Sequence, residues 1–363
     1  MNINVSLAIN NLSFGHCSLN ILEEFRKRGI QPNLFPIGGN ADISTFDQVS
    51  PEMPGYIQSC AGKASSSFSR EYPHFKLWHI SQSEQSPSNK NYLFVFHELD
   101  QLTPTEVNIL NNQTKIFVSS SYSKKVFEDS GVTVPVVHIP LGFDSNHFKV
   151  TNKKYFSSDL VVWSIGGKLE KRKRHEKAIR AWLKKYGNNP KHRLHLQTYN
   201  TFLSAEQNNA ALVNLLEGKS YSNITALPYT KTLGELNECY NATNIVIDMS
   251  GAEGWSLPSF HCVGLGKHAV IHNATAMRDW ATPENAVLVE SSAKIPAYDG
   301  VFFHPGHAFN QGNIFDWNEE DFLSACDKAL NRYLVNPVNV AGLKLQKDFT
   351  WVKTVDKILA EIQ

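Results

Sequence analysis

Cysteine is scarce in this 363-residue chain. The five present (Cys17, Cys60, Cys239, Cys262, Cys326) are odd in number and scattered, with no CxxC pair. That excludes a disulfide framework or a zinc site and predicts reduced, mostly buried thiols in a cytoplasmic protein. An excess of either charge is also missing: 35 Lys plus Arg against 34 Asp plus Glu leave a net +1. A global pull toward nucleic acid or anionic membrane is thereby excluded, although a local basic patch is not. No apolar run approaches the roughly 20 residues that span a bilayer. The opening MNINVSLAIN lacks the basic start and long apolar stretch of a signal peptide. There is no internal repeat and no low-complexity tract. Six Asn-x-Ser/Thr sequons, at Asn4, Asn11, Asn112, Asn223, Asn241 and Asn273, are expected to be chance matches in an Asn-rich chain.

What is present is the composition of a folded protein, 42% hydrophobic and 19% charged. The length suits two domains of about 150–200 residues. Short apolar runs at 3–9, 75–81, 92–96, 115–119 and 136–140 predict strands, and the alternation restarts at 160–166, 194–198, 223–227, 244–249 and 268–272. Helical patterns fall between them at 16–28, 120–129, 173–186, 204–217, 232–241 and 257–266. Val/Ile/Leu strands separated by amphipathic helices predict parallel sheets covered on both faces. The polar stretch TNKKYFSSD (151–159) divides two such series. The expected fold is therefore α/β, with two Rossmann-like doubly wound domains facing across a cleft. Residues 1–152 form the first, 153–340 the second, and a terminal helix follows over 341–363. Ligands of open α/β sheets bind beyond the C-terminal strand ends, which puts the site in the cleft.

The stretch from Met249 to Pro258, MSGAEGWSLP, carries the most chemistry. An apolar strand ends at Met249, a small-residue turn holds Glu253, and Pro258 suits the first turn of a helix. The backbone at Gly254, Trp255, Ser256 and Leu257 then offers N–H groups to a phosphate or to sugar hydroxyls. Glu253 has two readings. It can bind vicinal sugar hydroxyls and stabilise positive charge on an anomeric carbon, or it can simply cap the helix.

The run EGWSLPSFHCVGLGKHAVI resembles the glutamate-containing motif of retaining GT-B glycosyltransferases, the nucleotide-sugar enzymes of glycosyltransferase family 4. FVSSSYSKKVFEDSGVTVPVVHIPLGFDSNHF (117–148) is similar to the stretch that closes their first domain. SIGGKLEKRKRHEKAIRAW (164–182) is similar to the first strand, basic loop and helix of their second, and FTW to the start of their last helix. The resemblance implies a GT-B architecture whose terminal helix packs back toward the first domain. It implies a glycosyltransferase acting on a nucleoside-diphosphate sugar, with UDP favoured, and a hydroxyl acceptor, a glycan in preference to modified DNA. No cofactor is implied, and the chain has no DxD motif of metal-dependent transferases.

By the same resemblance, Lys168 and Lys173 are the two basic positions that hold the donor diphosphate, with Arg172 able to replace either because KRKR leaves the register open. Cations there stabilise a leaving group whose charge grows in the transition state. Glu253 matches the first motif glutamate, which contacts the donor sugar. The second, which grips the ribose, is replaced by His261. His97 ends a strand where the family places a histidine near the reacting sugar, and it reads equally as a structural residue. Glu98 and Asp100 after it are candidates for the acceptor. Tyr229 lies where the nucleotide base is contacted. Gly15 and His16 sit where the first loop nears acceptor or phosphate, with Gly38 and Gly39 in a similar position after the second strand. Ser119, Ser120 and Ser121 read best as a helix N-cap. A cluster of Lys and Arg at 171–174, with Lys184, Lys185, Lys191 and Arg193, is the candidate lip for a DNA acceptor.

Overall fold

A computed structural model describes residues 1–362. The first half runs β1 (Asn4–Ile9), α1 (Ser13–Lys27), β2 (Asn33–Ala41), α2 (Met53–Ser67), β3 (His74–Leu77), β4 (Asn91–Val95), α3 (Pro104–Asn111), β5 (Lys115–Val118), α4 (Ser121–Asp129) and β6 (Val136–His138). Its six strands are all parallel in the order β2-β1-β3-β4-β5-β6. The second half runs β7 (Val161–Gly166), α5 (His175–Tyr186), β8 (His192–Gln197), α6 (Ala205–Leu215), β9 (Ile224–Ala226), α7 (Leu233–Asn241), β10 (Ile245–Asp248), α8 (Leu257–Gly264), β11 (His268–Asn273), β12 (Val287–Pro296), β13 (Asn313–Trp317) and α9 (Glu319–Val335). Its order is β13-β12-β11-β10-β7-β8-β9, parallel except for the β12–β13 hairpin. Three short helices close the chain: α10 (Val340–Leu343), α11 (Leu345–Asp348) and α12 (Trp351–Glu361).

The central strands are the continuous apolar runs. Every residue of β4 is buried, as are the first five of β7, because helices cover both sheet faces. Helix α4 begins as its sequence predicts: Ser120 Oγ accepts from the Ser123 N–H at 3.0 Å. Helix α3 has a reciprocal capping box between Thr103 and Glu106.

The expected single terminal helix is corrected to three. Phe349 and Thr350 are extended, because the Phe349 carbonyl accepts the Phe143 N–H at 3.0 Å and Thr350 bridges Phe143. That backbone pairs with the segment linking the two halves and leaves the helical ladder. Thr350 then caps α12 by accepting from the Lys353 N–H. Helix α12 returns to the first half. Thr354 donates to the Pro140 carbonyl at 2.7 Å, Asp356 pairs with Arg28 at 2.7 Å, and Glu361 pairs with Lys115 at 2.6 Å. One hydrophobic core therefore runs from β1 and α1 through Phe143 and Phe260 to Trp351 and Ile358. A second fills the other half around Trp163, Trp182 and Trp317. Among the described residues no helix is long and apolar enough to cross a membrane.

Candidate functional site

The C-terminal ends of β1, β3, β4 and β5 face those of β7 and β10, and the turns after these strands meet. Asp248 ends β10 and organises the next turn: its carboxylate accepts from the hydroxyls of Ser256 and of Ser259, the latter at 2.6 Å. Ser256 stands in the left-handed region at φ 63°, a conformation costing a non-glycine residue about 1 kcal/mol or more. Its bond to Asp248 and its 2.9 Å contact with Ser259 Oγ hold it there. Helix α8 starts immediately after, with Pro258 in its first turn and no side chain capping it.

Glu253, buried to 5% exposure, does not cap that helix. Its Oε1 accepts from Lys173 Nζ at 2.5 Å, and its Oε2 lies 3.3 Å from Arg172 Nη1. Burial alone would raise the Glu253 pKa, but these two cations bring it down to about 2, so the carboxylate stays ionised. Arg172 also reaches Glu170 at 2.7 Å and, across the cleft, Glu98 at 3.1 Å, and it donates to the Ala252 carbonyl. Burial outweighs the pull of Arg172 at Glu98 and pushes that carboxyl up, with Glu253 adding repulsion. The basic loop needs a glycine: Gly167 has φ 104°, and a Cβ there would sit 3.4 Å from the Lys173 ammonium.

Within KRKR, Arg172 and Lys173 both contact Glu253. Lys168 takes a different place, its ammonium 4.8 Å from the centre of the Phe202 ring and 5.1 Å from that of Phe302. Gly254 is a point of close approach between the halves. An added Cβ would lie 2.9 Å from Phe96 Cβ, and the Gly254 carbonyl accepts from Ser119 Oγ at 2.6 Å. Trp255 is buried in the apolar joint, its ring against Phe260 and Phe349 and its carbonyl accepting from Trp280 Nε1 at 2.9 Å. Leu257 opens α8.

His97 packs within the first half, its carbonyl accepting from Ser123 Oγ at 2.9 Å. Its ring packs edge-on to Phe127, a core residue of the first half, and its Nε2 is buried without a partner. Burial lowers its pKa to about 4, so it is neutral. Two other side chains of this turn reach the second half: Glu98 meets Arg172, and Asp100 pairs with Lys294 at 2.9 Å and accepts the Asn313 N–H at 2.8 Å. His261 is 2% exposed and accepts the Asp144 N–H at its Nε2, 3.3 Å away, with the Phe148 ring centre 4.2 Å off. Asp144 also gathers His147 at 2.8 Å and His16 at 3.5 Å, so His16 joins this joint between the halves. Gly15 serves packing: a Cβ would fall 1.8 Å from the Asn10 carbonyl oxygen. Tyr229 is 42% exposed beside Tyr199, ring centres 5.7 Å apart. Gly38 and Gly39 lie within β2, not after it, both at positive φ.

The basic lip is largely neutralised within the chain. Lys184 pairs with Glu319, Lys185 with Asp327 and Arg174 with Asp316, at 2.6, 2.5 and 3.0 Å. Lys171 donates to the Tyr298 carbonyl, and Arg193 lies over the Phe156 ring. Sequence reasoning missed Glu170, Asp144 and a ring cluster of Phe14, Trp78, His79 and Phe96. Only the position of these residues just past predicted strands signalled them.

No family profile and no curated protein matches the chain. Solved structures match it along its whole length. A sucrose-phosphate synthase from Thermosynechococcus elongatus aligns with TM-score 0.67 at 14% identity, covering 99% of this chain and 98% of that one. HepE from Anabaena, in complex with UDP-glucose, aligns at 0.61 and 14%, again covering 99% and 98%. A glycosyltransferase from Rickettsia africae aligns at 0.66 and 12%, covering 99% and 97%. The expected GT-B architecture is borne out: two doubly wound α/β halves facing across a cleft, with the terminal helix returned to the first.

Proposed function

We propose that this chain is a retaining, metal-independent glycosyltransferase of the family 4 type. It would move a sugar from a nucleoside-diphosphate sugar, UDP favoured, to a hydroxyl of an acceptor, in the cytoplasm. The observation that carries the reading is the buried, ionised Glu253 at the end of β10, gripped by Lys173 and Arg172. The names of the structural neighbours, among them a UDP-glucose complex, point the same way.

Lys173, Arg172 and the free N–H groups at the start of α8 would receive the diphosphate, whose charge grows as the bond from the anomeric carbon to the phosphate oxygen breaks. Glu253 would hold sugar hydroxyls and balance positive charge on that carbon. The acceptor oxygen bonds to the anomeric carbon on the same face, and its proton passes to the departing phosphate. Glu98 and Glu253 now occupy the cations that the diphosphate needs. Donor binding is therefore expected to open the Arg172–Glu98 bridge, which a carboxyl already biased toward protonation makes easier.

His261 favours a second reading, a nucleotide-sugar binder without turnover. Its ring is committed to Asp144, so position 261 offers no carboxylate to a ribose. Thermal shift and release of free nucleoside diphosphate across UDP-, GDP- and ADP-sugars separate the two. Stabilisation with slow hydrolysis of one donor supports the enzyme. Stabilisation without hydrolysis or transfer supports the binder, and no response to any donor defeats both.

A further inference from the structure

At the mouth of the cleft, four rings from three separate strand ends meet. Phe14 follows β1, Trp78 and His79 follow β3, and Phe96 follows β4. Phe14 lies 4.9 Å from Phe96 in a stacked pair, 5.2 Å from Trp78 and 4.7 Å from His79. Phe14 and Phe96 are partly buried and pack against the first core. Trp78 is half-buried and belongs to neither main core, and His79 is exposed. The cluster borders the donor side directly: Phe96 lies against Gly254, and the positive charge of Lys168 stands near His79. Glu98, two residues beyond Phe96, stands beside it with its carboxylate turned to Arg172.

A wall of aromatic faces with one carboxylate selects a ligand with an apolar ring face and hydroxyls at its rim. The cations nearest the rings are engaged within the chain: Arg172 and Lys173 by Glu98, Glu170 and Glu253, Lys168 by the Phe202 and Phe302 rings, and Lys76 by the Gln82 carbonyl. A nucleic acid would need a row of unpaired Lys or Arg for its backbone, and on the opposite rim Lys184, Lys185 and Arg174 are paired to Glu319, Asp327 and Asp316. We infer that Phe14, Trp78, His79 and Phe96 form the acceptor platform, and that the acceptor is the terminal ring of an uncharged glycan. The inference rests on the donor reading above.

The test is saturation-transfer NMR on the full chain with UDP present, using maltotriose, cellotriose and xylotriose, glucose 6-phosphate, and a duplex carrying 5-hydroxymethylcytosine. The expected result is saturation of at least one neutral oligosaccharide. Trp78→Ala should weaken its binding about tenfold, the size of one lost ring contact, and Trp78→Phe should restore it. Preference for the phosphate or the duplex, no neutral glycan bound, or an equal signal from Trp78→Ala would each overturn the platform. UDP binding is followed by calorimetry in the same samples. If UDP binds and glycans do not, the acceptor inference alone fails. If UDP does not bind, the donor reading fails with it.

Discussion

The carboxylates of Glu98 and Glu253, one from each half of the molecule, share a single nitrogen. Arg172 Nη1 lies 3.1 Å from Glu98 Oε1 and 3.3 Å from Glu253 Oε2. Glu170 holds the other end of the guanidinium at 2.7 Å, so Arg172 keeps acidic partners in its own half even when Glu98 lets go. The same arrangement makes the cleft responsive to an anion, which competes with Glu98 and Glu253 for Arg172.

Glu253→Gln keeps the shape of the side chain and removes its charge. Turnover of the preferred nucleotide sugar is expected to fall about 10²–10³-fold, the size of one lost electrostatic contact to a transition state. Far-UV circular dichroism should be unchanged. An unaltered rate would remove Glu253 from the chemistry.

Lys173 and Lys168 are equivalent in the sequence and different in space. Lys173 touches Glu253, whereas Lys168 rests on two aromatic rings. Lys173→Ala should weaken UDP binding tenfold or more, about 1.4 kcal/mol or above, with a smaller loss for Lys168→Ala. Calorimetric titration gives both values, and the reverse order would mean that Lys168 is the diphosphate ligand.

Three fully buried histidines should make the fold sensitive to acid. Burial lowers His97 and His175 to about 4 and His261 to about 3, from an ordinary value of 6.5. Below pH 6.5 the unfolded chain takes up protons that the native state refuses, so stability falls until the native pKa values are reached. Each histidine removes about 1.4 kcal/mol per pH unit within that window. The urea midpoint should therefore drop between pH 7.5 and pH 5. His97→Gln should reduce the slope, and a flat profile would show that these rings are not neutral inside.

Two glycine substitutions should act in opposite directions. At Gly15 a Cβ meets the Asn10 carbonyl oxygen at 1.8 Å, a backbone clash, so Gly15→Ala should cost more than about 3 kcal/mol. Gly62 lies exposed within α2 with nothing within 4 Å of its Cβ position. Gly62→Ala should stabilise by about 0.5–1 kcal/mol. Urea unfolding of the two variants checks both signs.

Ile358 is fully buried where α12 meets the first half. Ile358→Ala should cost about 2–5 kcal/mol. Because α12 also holds the segment linking the halves, thermal unfolding should stay a single transition at lower temperature. Two separated transitions would show that the returning helix does not couple them.

The alternation of apolar runs and amphipathic helices made the paired sheets legible, because strand and helix periods are local and survive without tertiary context. Ser120 as a cap and Pro258 in a first turn were legible for the same reason. The hairpin of β12 and β13 was not, since VLVESSAKIP mixes exposed and buried positions without a clean period. Nor was the break between α11 and α12, which arises only because Phe143, some two hundred positions earlier, takes up the Phe349 carbonyl.

For the site, the sequence by itself determined which chemistry is available: an acidic turn after β10, a basic loop after β7, and their place at strand ends. Only the tertiary structure decided the pairings. It set Arg172 and Lys173 on Glu253, laid Lys168 on aromatic rings, sent Glu98 rather than His97 across the cleft, and turned His261 to Asp144. The reason is physical. Local pattern specifies an element and the residues it carries, but a side chain's partner is fixed by which distant element packs opposite it, and here that element comes from the other half of the chain.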